Sequence, residues 1–198
     1  MRAGKALFLV VLTGLCAALV ACGRAPVSSG TDPAGPGLSR DGAARQDAAT
    51  RWANDYCVAV GSLVDGLATM PSVDPSSPRR AVQTSSDLLG SMIGSFDGAV
   101  RKLDKLPPSP VQGGDRMRTD TVAEFTGIRD RASVAKQRLD VVRDATTIDQ
   151  QTIGAANGPL DEVAKLNVLA GFDSVPELLD ASAHAPVCEE LTTRASGN

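Results

Sequence analysis

The chain has 198 residues, 42% of them hydrophobic and 22% charged, with a formal net charge of −3. That is room for one modest domain plus targeting or linker sequence, and the balance excludes collagen-like, wholly disordered and multi-pass membrane classes. The acidic balance disfavours nucleic acid as a partner, and the lone histidine, His184, excludes any metal or acid/base site that needs two imidazoles.

The first segment reads as a secretory signal. Arg2 and Lys5 precede an apolar run from Ala6 to Ala18 that is short for a bilayer span. It ends in Leu19-Val20-Ala21-Cys22, which resembles the lipobox of bacterial lipoproteins: an aliphatic residue, a small or aliphatic one, a small one, then cysteine. The resemblance implies that residues 1–21 are removed and that Cys22 becomes the lipidated first residue of the mature chain. It also implies a location on the extracytoplasmic face of the cell membrane. Two or more acyl chains on one residue hold a protein to a membrane stably, whereas one does so only marginally.

Residues 22–42 read as a tether. Pro26, Ser28, Ser29, Gly30, Pro33, Gly35, Pro36 and Gly37 interrupt a stretch with few large apolar residues, and such a chain of twenty residues typically reaches roughly 25 Å. Loss of Arg2 and Lys5 makes the remainder more acidic, so the folded part should stand off anionic headgroups.

The folded domain is expected over residues 43–198 as an all-α, antiparallel up-and-down bundle of about four main helices plus short C-terminal ones. From Ala43 to Met70, the residues Trp52, Tyr56, Val60, Leu63, Leu67 and Met70 fall at helical steps of 4, 4, 3, 4 and 3. Pro71 ends that helix, and Ser76-Ser77-Pro78 offers a capping serine followed by proline at the first helical position. Leu89, Met92, Ile93, Phe96, Val100 and Leu103 mark a second helix, stopped near Leu106 by Pro107, Pro108 and Pro110. Gly113-Gly114-Asp115 turns the chain into a third, whose narrow stripe runs through Val122, Phe125, Ile128, Ala132, Ala135, Leu139 and Val142.

Past Ala145 the pattern dilutes. Asn157-Gly158-Pro159 reads as a break, followed by a fourth helix from Leu160 to Leu169 closed by Gly171. Ser174-Val175-Pro176-Glu177 matches a capping box for a short helix through Leu178 and Leu179, and Pro186 starts a last turn with Cys188 and Leu191. No stretch shows the sustained alternation of a sheet.

Cys57 and Cys188 are the cysteines left after the signal and Cys22, and an exported domain with two such residues is a candidate for one disulfide. Bonding them closes a loop of 131 residues, for which chain entropy gives roughly 5 kcal/mol before strain.

Reactive chemistry finds little support. Ser133-Val134-Ala135-Lys136 matches the serine and lysine of penicillin-recognising enzymes, but its companions are missing: Ser86-Asp87 is followed by Leu88, and no lysine precedes a Thr-Gly. Ser133 and Lys136 are therefore expected to be ordinary helix-surface residues. His184 should cap the helix before it, and the scattered carboxylates suit a solvated helix face. Neither a phosphate loop nor a dinucleotide fingerprint occurs. No cofactor, metal site or catalytic residue is expected.

Fifteen arginines against five lysines, with abundant alanine, glycine and valine, suit a GC-rich genome. A helix carrying Trp52, Tyr56 and Cys57, the Leu106–Gly114 turn and a late cysteine together resemble the uncharacterised small secreted and lipoprotein families of actinobacteria, which implies fold and location and no activity. The sequence thus points to a non-enzymatic, lipid-anchored binding module at the cell envelope, with another envelope protein as partner. The alternative is a carrier or sensor of a small apolar ligand held between helices, with Met70, Met92 and the alanine seam of the third helix bordering its cavity.

Overall fold

The computed structural model describes residues 39–143, 145, 148, 149, 152 and 154–196. The segments read from the sequence as signal and tether, Cys22 among them, lie outside the described residues as far as residue 38. Six α-helices are present among those described, and no strand: α1 (Arg40–Ala68), α2 (Pro78–Asp104), α3 (Gly114–Val142), α4 (Asn157–Ala164), α5 (Pro176–Ala183) and α6 (Pro186–Ser196). Short 3-10 turns occupy Gly154–Ala156 and Ala170–Ser174. The class is an all-α bundle, as the sequence predicts. Among the described residues, no helix is long and apolar enough to cross a membrane.

The first two long helices start at a serine that caps their free N–H groups, and the third starts at a glycine turn. Ser39 Oγ accepts from the Gly42 amide at 3.1 Å, so residues 40–42 belong to α1 and not to the tether. Ser77 Oγ accepts from the Arg80 amide, with Pro78 at the first helical position. Gly113 sits at φ +90°, a left-handed conformation that an L side chain rarely adopts, and it turns the chain into α3.

The proline-rich connection from α2 to α3 is held by side chains. Trp52 Nε1 of α1 donates to the Pro107 carbonyl at 2.9 Å, and Arg118 Nη1 of α3 donates to the Leu106 carbonyl at 2.7 Å. These bonds satisfy carbonyls of the connection just past α2.

α2 packs between α1 and α3. Trp52 meets the end of α2, while a Cβ placed on Gly66 would lie 2.3 Å from Ser95 Oγ, so that crossing depends on the missing side chain. Between α2 and α3, Phe96 packs edge-on against Phe125 with centroids 5.6 Å apart. The predicted stripes face inward: Tyr56, Val60, Leu63, Leu89, Met92, Phe96, Phe125 and Leu139 are all buried.

The C-terminal quarter departs from the predicted fourth helix. The segment read as a break, Asn157-Gly158-Pro159, is the first turn of α4. Proline is tolerated there because the opening N–H groups of a helix have no intrahelical partner to lose. α4 ends at Ala164, well before Leu169, and Gly171 lies in the following 3-10 turn instead of closing a helix. α4 packs on α3, whereas α5 and α6, the short C-terminal helices that the sequence predicts, pack on α1. The capping box at Ser174 does not form: Ser174 Oγ donates to the Gly171 carbonyl at 2.7 Å, and α5 begins after Val175 with no side-chain cap.

Candidate functional site

The expected cysteine pair is joined. Cys57 of α1 and Cys188 of α6 form a disulfide, with Cα atoms 5.2 Å apart and both residues buried. Asn54 Oδ1 accepts the Val187 amide nearby, so the start of α6 is held to α1 by a covalent and a polar tie. Further along, Arg194 bonds both Asp65 of α1, at 2.8 Å, and Glu190. Donating to the Asp65 and Glu190 carboxylates raises the pKa of that guanidinium, which keeps its charge throughout.

The Ser-x-x-Lys segment is arranged differently from the sequence expectation. Lys136 is not an ordinary surface residue. Its Nζ donates to Asp140 Oδ2 at 2.7 Å and to Ser86 Oγ of α2 at 3.1 Å, while Ser86 donates to Asp140 Oδ1 at 2.6 Å. The three groups form a closed polar clamp between α2 and α3. Hydrogen bonds from Lys136, then from Ser86, hold the Asp140 carboxyl below the usual carboxylate range. Ser86 is only 3% exposed and donates its hydroxyl proton to the Asp140 carboxylate, an arrangement that ties α2 to α3. Ser133 is half-buried, and Lys136 is turned away from it toward α2.

Near the other end of the core, Tyr56 Oη lies 3.0 Å from Thr121 Oγ1, which donates to the Met117 carbonyl. The ring stacks near Trp52 and packs against Phe172 with centroids 5.0 Å apart. Burial, opposed in part by the Thr121 bond, pushes the Tyr56 hydroxyl up to about 12, so it stays protonated and structural. Among the described residues no buried side-chain polar atom lacks a partner. Met92 and the seam residues Ala132 and Ala135, named for a possible ligand cavity, are buried in the hydrophobic core, and Met70 packs at its edge.

The surface feature that stands out lies between α5 and α6. Leu178 and Ala181 turn α5 into the core, which leaves Pro176, Leu179 and Ala183, at steps of 3 and 4, as a second apolar stripe facing outward. Together with Asp180 of α5 and Glu189 of α6 they line an open groove of about 920 Å³. Leu179 is 46% exposed there. His184 closes α5 as its C-cap residue, with Nδ1 2.9 Å from the Asp180 carbonyl, in the capping role read from the sequence. Sequence reasoning missed this stripe because Leu178 and Leu179 are adjacent, and only the spacing from Leu178 to Ala181 separates the core face from the outer one.

Among the described residues no group of three or more His, Cys, Asp or Glu side chains is placed to hold a metal ion. Comparison with protein-family models, with curated proteins and with solved structures gives no match.

Proposed function

We propose that the protein is a lipid-anchored helical module on the extracytoplasmic face of the cell membrane, where it binds another envelope protein and carries out no reaction of its own. The observation that carries this reading is the buried Cys57–Cys188 disulfide, because such bonds form and persist in oxidising, exported compartments. It agrees with the export signal and lipobox-like Leu19-Val20-Ala21-Cys22. In this reading Cys22 carries the acyl chains, the Pro/Gly/Ser-rich tether sets the domain off the bilayer, and the bundle presents its surface to a partner.

The anchor is tested at Cys22. Changing it to alanine should abolish incorporation of a labelled fatty acid and release the mature-sized product from the membrane fraction. Labelling and fractionation unchanged in that variant would overturn the lipoprotein reading.

A further inference from the structure

We infer that the groove between α5 and α6 is the docking site for a short amphipathic helix of a partner protein, one whose aliphatic ridge is flanked by lysine or arginine. The inference rests on the reading of the protein as an interaction module and names the chemistry of its partner.

Shape sets the kind of occupant. α5 has 8 residues and α6 has 11, so the groove walls run about 12 to 16 Å at helical rise, which matches two to three turns of a docked helix. The α5 wall is apolar: Pro176, Leu179 and Ala183 form a stripe with no covering element among the described residues, and α6 faces it with Glu189, Thr192 and Thr193. An aliphatic side chain seated on Leu179 would remove apolar surface on both partners from water.

Charge sets the flanks. Between Pro176 and Ser196 stand four carboxylates, Glu177, Asp180, Glu189 and Glu190, against a single cation, Arg194. That cation is committed to Asp65 and Glu190, toward α1 and away from the groove. The Asp180 and Glu189 carboxylates, one on each wall, have no hydrogen-bond or ion-pair partner among the described residues. An apolar stripe flanked by an unpaired carboxylate on its own helix and another on the facing one is complementary to a ridge flanked by cations, and it repels anionic lipid headgroups or an acidic segment. The walls are also pre-positioned, α6 by the Cys188 disulfide and α5 by the buried Leu178, so little ordering remains to oppose binding.

The test uses the full chain in phosphatidylcholine nanodiscs, with empty nanodiscs as background, and two fluorescent 18-residue helical peptides sharing one leucine ridge. One peptide carries lysine on its flanks and the other glutamate. Fluorescence anisotropy should give saturable one-to-one binding of the Leu/Lys peptide, with the Leu/Glu peptide at least about tenfold weaker. Leu179→Ala, and separately the pair Asp180→Asn with Glu189→Gln, should each weaken the Leu/Lys peptide by about tenfold, and the charge pair should also flatten the salt dependence. The control pair Asp87→Asn with Asp104→Asn, on α2, should change nothing. Equal binding of the two peptides, or binding indifferent to all three groove substitutions, would overturn the assignment. So would a fluorescent fatty acid that binds in a Leu179-dependent way while neither peptide does, since that result gives the groove to a small apolar ligand. Loss of peptide binding in a chain still acylated at Cys22 removes the groove assignment alone, whereas a failed acylation test leaves the peptide result standing.

Discussion

The stretch from Arg40 to Val142 and the stretch from Asn157 to Ser196 are both helical, yet they are stabilised in different ways. The first has three helices of 27 to 29 residues, two of them with serine caps and all with inward stripes that carry most of the core. The second has helices of 8, 8 and 11 residues, each below the length at which a helix persists alone in water. Its order comes from what it touches: Phe172 on Tyr56, Leu178 in the core, Val187 on Asn54 and Cys188 on Cys57. Long helices can thus carry their own instructions, while short ones depend on ties to a distant part of the chain.

The largest expected effect comes from cutting the strongest of those ties. Reduction of Cys57–Cys188, or replacement of both by alanine, should cost roughly 3 to 5 kcal/mol for a loop of 131 residues. Before reduction, thiol reagents should find neither cysteine even in denaturant. After it, thermal melting should fall, and hydrogen exchange should speed up in α5 and α6 well before it does in α2. Uniform loss of protection across all helices would erase the distinction between the two regions.

Legibility in the sequence follows the same line. Steps of 3 and 4 in α1, α2 and α3 were enough to predict their faces, because a helix of that length repeats its signal several times. The start of α4 is not legible at Asn157-Gly158-Pro159, because the residue types that stop a helix are also those tolerated in its first turn. Ser174 has the spacing of a capping box, but the 3-10 turn before it offers the Gly171 carbonyl as a competing acceptor. The groove stripe was hidden for a related reason: in two turns of helix, inward and outward apolar residues cannot be separated by periodicity alone. In the clamp, Lys136 and Asp140 are a readable i,i+4 pair, but Ser86 lies 50 residues from Lys136 and only folding brings it there.

A polar tie also matters inside the long-helix region, where the clamp joins α2 to α3. Lys136→Ala should cost about 1 kcal/mol, since the ion pair is half-exposed and the Ser86–Asp140 bond survives. Asp140→Ala should cost somewhat more, about 1 to 2 kcal/mol, because the buried Ser86 hydroxyl then loses its acceptor. Acid titration separates them further. With the Asp140 pKa lowered in the folded state, its stabilisation is present above the ordinary aspartate range and is lost as pH falls through the lower folded value. Lys136→Ala removes the largest cause of that depression, so its acid unfolding should begin at higher pH than that of the parent chain. Coincident acid transitions would show that the clamp carries no linkage.

The smallest effect is a matched pair of serines that places the two regions side by side. Ser77→Ala removes a side-chain cap from the 27-residue α2 and should cost about 1 kcal/mol, since the Arg80 amide loses its acceptor. Ser174→Ala removes a serine that looks like a cap in the sequence but donates backward to Gly171 on an exposed 3-10 turn. The N–H groups of α5 have no side-chain cap to lose, and proline already occupies the first position without one. Its cost should therefore stay within about 0.5 kcal/mol, the scale of an exposed substitution away from core and caps. Chemical denaturation of the two variants under identical conditions measures the difference directly. Equal losses would mean that Ser174 does cap α5 in solution, and that the short helices carry more of their own starting signal than their ties to α1 suggest.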